Sequence, residues 1–193
     1  MNEEIPWIGP PTWQAALAFC ADKIKDNIDM GVRFPSDEGE EMLGMLRQSF
    51  DELNFMSYGR PLDNDPELKG IITDRLIAYA VLVMQMNNVW DNQRTSMLDD
   101  IDELLPFLES KQKDYGYENI SRFGLSGLYV RMHDKISHIE NLVDKQVEPQ
   151  NESLMDSMVD FVGYCLIGLM LVHDMWLLPM AHPQTDPEES LPS

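Results

Sequence analysis

Residues 127–146 read GLYVRMHDKISHIENLVDKQ, and this stretch decides the fold class. Leu128, Met132, Ile136, Ile139 and Leu142–Val143 recur at three- and four-residue spacing, which lines one face of an α-helix. Arg131, Asp134, Lys135, His138 and Asn141 fall on a second face, at i, i+3, i+4, i+7 and i+10. A half-buried strand would need apolar residues at every second position, and this segment does not sustain that pattern beyond Met132.

The same helical period extends outward in both directions. It predicts helices over about 12–30, 37–54, 66–87, 96–113, 127–146 and 152–178, separated by Pro, Gly and Asn/Asp clusters. Ser36 is placed to cap the second, with Asp37, Glu38, Glu40 and Glu41 in its first turn. Pro106 marks a kink or break in the fourth, and Pro179 ends the last. The expected fold is an all-α bundle of about five to six helices. Residues 1–100 form an N-terminal helical region of unknown role, 101–179 a helical core, and 180–193 a polar, Pro-rich tail expected to be disordered.

Composition narrows the function. The 193-residue chain carries 34 acids against 14 bases, a net charge of -20, and such a surface repels phosphate backbones. Direct nucleic-acid binding is therefore not expected. Cys20 and Cys165 stand in apolar helical surroundings as reduced core residues, with no disulfide or zinc pattern. Fourteen methionines suit a plastic, helix-filled interior. The opening MNEEIPWIGPPTW has no basic and apolar signal pattern. The apolar run Phe161–Val172 covers 12 residues, too short for a bilayer and suited to a buried core helix. A cytoplasmic setting without membrane attachment is expected.

Against that acidic background, residues 111–135 (KQKDYGYENISRFGLSGLYVRMHDK) hold five cations, Lys111, Lys113, Arg122, Arg131 and Lys135, against three acids, Asp114, Glu118 and Asp134. Further on, Glu152, Asp156 and Asp160 stand four residues apart and stack along one helix face. Carboxylates so stacked repel one another unless a cation lies among them, and a hard divalent metal takes oxygen ligands of this kind. The alternative is a solvated acidic face at a helix N-terminus, which accounts for Glu152 and Asp156 better than for Asp160 beside the apolar run. Arg131 and Lys135 suit phosphate oxygens, with Asp134 completing a metal shell; the alternative is an ordinary polar face with internal ion pairs. The segment 111–119 mixes cations with Tyr115 and Gly116, which serves either to stack a base or as a plain turn. The dipeptides His133-Asp134 and His173-Asp174 read as coincidence, because only four histidines are present for a metal-dependent His-Asp site.

Taken in order, these motifs resemble the nucleotide modification-associated domain found largely in phages, a relative of the all-α, MazG-like nucleoside triphosphate pyrophosphatases. The pattern starts at Lys111, Asp114, Tyr115 and Gly116, then runs through Gly124, Gly127, Arg131, Asp134, Lys135, Glu140 and Asn141. It ends with Glu152, Asp156, Asp160 and Tyr164, and covers about 60 of the 193 residues. The chain departs from it at His138, where an arginine is usual, and lacks the Glu-Glu-x-x-Glu of the better-known MazG enzymes.

The resemblance implies a MazG-like bundle and hydrolysis of a (deoxy)nucleoside triphosphate to the monophosphate and pyrophosphate, in phage nucleotide metabolism within the host cytoplasm. Mg²⁺ (or Mn²⁺) is the implied cofactor, held by the catalytic residues Glu152, Asp156 and Asp160 with Asp134 as a fourth ligand. Arg131, Lys135, Lys111 and Lys113 would face the triphosphate. Tyr115 would stack the base, and Asp114, Asn141 and Tyr164 would complete the substrate site. Dimers or tetramers are implied, with the apolar last helix as a subunit interface. Two rivals stay open: a relative that binds a nucleotide without cleaving it, and an acidic DNA mimic that occupies a host factor.

Overall fold

The computed structural model describes residues 9–31, 38–62, 65–90, 96–145 and 152–181. Among the described residues there is no strand, and seven helices are present: α1 (Trp13–Asp29), α2 (Gly39–Ser57), α3 (Pro66–Trp90), α4 (Met97–Tyr115), the single turn α5 (Glu118–Ser121), α6 (Gly124–Lys145) and α7 (Leu154–Val172). The all-α bundle expected from the sequence is the fold observed.

The most apolar helices take the centre, because only a position covered on several sides removes all of their surface from water. α7 packs on α3 and α6, α1 covers α3, α4 and α7, and α2 bridges α3 and α6. Along α7, Phe161, Cys165, Leu166, Leu169 and Met170 are fully buried, as are Ile72, Leu76 and Ala80 of α3. One hydrophobic cluster runs from Trp13 to Trp176, so the N-terminal helices contribute to the same core as α6 and α7. By length and composition α7 could cross a membrane, but its apolar residues are used inside the chain.

Close approach at the centre depends on a missing side chain. A Cβ on Gly168 would lie 2.8 Å from a Leu76 methyl of α3 and 3.2 Å from a Leu128 methyl of α6. Glycine lets the three helices meet there, at a cost in helix propensity of about 1 kcal/mol.

Several helix ends differ from expectation. α7 stops at Val172, well short of Pro179. Asp174 takes the left-handed conformation (φ 58°), Met175 N donates to Met170 O at 2.7 Å, and Asp174 N donates to Leu171 O at 3.2 Å. This is a Schellman cap in which aspartate stands where glycine is usual, so the common sequence signal was missing. α4 continues through Pro106 as one helix. Ser36, expected to cap the second helix, lies outside the described residues, as do 182–193 of the tail; α2 starts at Gly39 with Glu38 in the capping position. The chain after α7 returns to the start of α1, where Trp13 N donates to Pro179 O at 2.9 Å.

Candidate functional site

Two lysines from different helices converge on one aspartate of α7. Asp160 Oδ2 accepts from Lys135 Nζ of α6 at 2.8 Å, and Oδ1 accepts from Lys111 Nζ of α4 at 2.8 Å. Lys135 also donates to Glu152 Oε1 at 2.6 Å. Ser157 Oγ donates to the same Glu152 oxygen at 2.9 Å and lies 2.7 Å from His138 Nδ1. The hydroxyl hydrogen goes to Glu152, which leaves the Nδ1–H of His138 as the donor to Ser157. A polar chain therefore runs His138–Ser157–Glu152–Lys135–Asp160–Lys111 across the α6–α7 contact.

Local sequence explains the placement. Lys135 borders the apolar stripe Met132–Ile136–Ile139 of α6, all buried, so its stem is covered and its head is delivered to α7. Ser157 occupies a core-facing position of α7 and is fully buried, so its hydroxyl requires partners from inside the chain. Lys111 projects from the last turns of α4 with its ammonium 4.4 Å from the Phe107 ring centre.

The electrostatics follow from this packing. Burial pushes the Asp160 carboxyl up, but Lys111 and Lys135 outweigh it and hold the group below its ordinary 3.8. Glu152 behaves alike: burial raises it, while Lys135 and Ser157 bring it below 4.5. Burial disfavours the Lys135 ammonium, yet its bonds to Asp160 and Glu152 keep it charged to above 10.5.

Beside this clasp, a cavity of about 380 Å³ opens between α4, α5, α6 and α7. Lys111, Tyr115, Arg131, Asp160 and Tyr164 line it, five of the residues picked out from the sequence. Arg131 Nη2 donates to Asn119 Oδ1 at 2.8 Å on the same wall. Gly116 turns the chain at the end of α4 with φ 67°, a conformation that favours glycine, and sends it into α5. The wall is cationic, with Lys111 and Arg131 against the single carboxylate of Asp160.

The other expected site residues lie elsewhere. Asp156 closes a capping box at the start of α7: its N–H donates to Ser153 Oγ at 3.0 Å, and its carboxylate accepts from Ser153 N at 3.0 Å. Asp134 is exposed and lines a second groove with Phe123 and Arg131. Lys113 pairs with Glu109 at 2.8 Å, while Asp114 and Asn141 are exposed and outside the cavity wall. His173 and Asp174 of the second dipeptide take separate partners, Thr73 at 3.2 Å and Lys69 at 3.1 Å.

Several members of the site escaped the sequence reading. Trp13 and Trp176 line the cavity and meet edge to face, with ring centres 5.9 Å apart. Gln112 lines it too, is buried, and its amide nitrogen has no hydrogen-bond partner; the same is true of Trp13 Nε1. A signal existed for Gln112: it continues the buried stripe Ile101–Leu104–Leu108, and a polar side chain in core phase needs a reason. Arg47 of α2, which grips both carboxylate oxygens of Glu140, carried no such signal.

The implied Mg²⁺ can be weighed against these residues. Among the described residues, no three His, Cys, Asp or Glu side chains gather closely enough to hold one ion. Glu152 and Asp160 do meet, through the Lys135 ammonium, while Asp156 is turned back onto Ser153. In this arrangement the ladder does not fit a divalent ion. Compared with family models, curated proteins and solved structures, the chain matches none.

Proposed function

We propose that this chain binds a nucleoside polyphosphate in the cavity between α4, α6 and α7. The observation that carries the reading is the gathering of Lys111, Arg131, Tyr115 and Tyr164, from three helices, on one concave wall. Lys111 is paired with Asp160 on that wall, which leaves Arg131 as its net positive charge on a chain of net charge -20, and an anionic ligand is drawn to that point rather than to the surrounding surface. Lys111 and Arg131 face phosphate oxygens, and the tyrosine rings offer flat surfaces to a base.

The hydrolytic reading, cleavage to monophosphate and pyrophosphate, rests on the sequence resemblance alone. Calorimetric titration with ribo- and deoxynucleoside triphosphates, in EDTA and in Mg²⁺, tests binding directly. Binding that Lys111→Ala or Arg131→Ala weakens about tenfold, equivalent to about 1.4 kcal/mol, supports the nucleotide reading. Heat-silent titrations with every nucleotide, confirmed by equilibrium dialysis, overturn it. Pyrophosphate release in the Mg²⁺ arm separates an enzyme from a binding protein. Capture of a host DNA-binding protein by a chain that ignores nucleotides would instead favour the acidic mimic.

A further inference from the structure

We propose that the Lys135 ammonium is the resident cation of the Glu152–Asp160 carboxylate pair, standing in this chain where a divalent metal would stand. Three observations carry it. First, the geometry is complete without a metal. Lys135 Nζ lies 2.6 Å from Glu152 Oε1 and 2.8 Å from Asp160 Oδ2, so one point charge bridges the two carboxylates.

Second, four of the six carboxylate oxygens of Glu152, Asp156 and Asp160 are already engaged. Asp160 has Lys111 on its other oxygen at 2.8 Å, and Glu152 Oε1 takes a second hydrogen bond from Ser157 at 2.9 Å. The remaining carboxylate of the ladder, Asp156, is held by Ser153. Mg²⁺ requires close to octahedral oxygen coordination at about 2.0–2.1 Å, and entry here would expel an ammonium from two carboxylates at once.

Third, the charge balances. Lys111 and Lys135 contribute two positive charges against the two negative charges of Glu152 and Asp160. The Lys135 side chain is only 17% exposed, so displacing it would leave a largely buried ammonium without its counterions. Lysine supplies the compensation from within the chain, tethered to α6 by its apolar stem, and needs no exchangeable ion. The neutralised Asp160 then borders the cavity without repelling an anionic ligand, a consequence that rests on the nucleotide reading; the cation assignment itself does not.

Titration of the full chain with Mn²⁺, followed by the electron paramagnetic resonance signal of the free ion, tests the assignment without any nucleotide. The wild-type chain is expected to take up no Mn²⁺ at this pair. Lys135→Ala is expected to create a site at least tenfold tighter, which Asp160→Asn then removes. Stoichiometric uptake by the wild type that is lost on Glu152→Gln would overturn the proposal. So would a folded Lys135→Ala chain that binds no Mn²⁺, since the pair would then be no cation site at all. Lys135→Gln, which keeps two N–H donors, serves where the alanine variant fails to fold, and the wild-type titration requires no variant. Because Mn²⁺ uptake is read without nucleotide, a failure of the nucleotide reading leaves this result standing, and the reverse holds equally.

Discussion

The Lys135 ammonium of α6 lies 2.8 Å from the Asp160 carboxylate of α7, with the two side chains 17% and 22% exposed. At that burial an ion pair acts through a medium less polar than water, so removing one partner costs more than at the surface. Lys135→Met keeps most of the stem and removes the charge. We expect it to destabilise the fold by about 2 kcal/mol, with part of the loss recovered when Asp160→Asn is added. Urea denaturation of both chains reads this directly, and equal midpoints for wild type and Lys135→Met would count against a structural role for the clasp.

The pH dependence has a definite sign at each end. Asp160 and Glu152 are held below their ordinary values, so their contribution is present above about pH 4 and lost as pH falls through their folded-state values. Lys135 is held above 10.5, so its contribution is present below that pH and lost as pH rises through its folded-state value. The clasp is therefore intact across the neutral range and weakens at both extremes. Acid also relieves the self-repulsion of a chain of charge -20, which acts in the opposite direction. The informative quantity is the difference between wild type and Asp160→Asn in urea midpoints from pH 7 to pH 3. That difference should shrink toward zero in acid, and a constant difference would refute the assignment.

Ser153 and Asp156 serve the start of α7 as a reciprocal cap. Loss of either should cost about 1 kcal/mol, and the double variant should cost clearly more than one single change, because each side chain holds the other residue's backbone N–H and the two share only the bond from Ser153 Oγ to the Asp156 carboxylate. Thermal unfolding of Ser153→Ala, Asp156→Ala and the double variant measures this, and a double variant no less stable than either single one would count against two separate backbone bonds. Burial is nearly absent at Asp156, whose carboxyl is lowered first by the Ser153 hydroxyl, so the effect belongs to the helix end and not to the core.

Both cysteines are fully buried, and burial pushes the Cys20 thiol up to about 12 and Cys165 higher still. Thiolates are the reactive form, so the native chain should resist a thiol reagent at pH 8 and titrate both sites once unfolded in guanidinium. Rapid labelling of either cysteine in native buffer would contradict the packing of α1 or α7.

Much of this fold was legible because burial imposes a period. The stripe Leu128–Met132–Ile136–Ile139 announced α6, and the apolar run from Phe161 announced a core helix. The end of α7 was not legible, because its left-handed residue is Asp174 where glycine normally gives the signal. Of the expected site, Lys111, Tyr115, Arg131, Asp160 and Tyr164 share one cavity, since their helices meet there. Asp134, Asn141 and Lys113 fall outside it, because helical spacing gives a residue's face but not what lies opposite that face.

Sequence alone determined the helical class, the core helix that carries Phe161–Val172 and the concentration of cations on an acidic chain, all local properties of period and charge. Only the tertiary structure decided who meets whom. Arg47 with Glu140, and Lys111 with Asp160, are 93 and 49 residues apart along the chain. Their pairing depends on helix packing that no local pattern encodes. The same packing brought Lys135 between Glu152 and Asp160, so that three carboxylates at metal-binding spacing became one helix cap and two partners of a lysine.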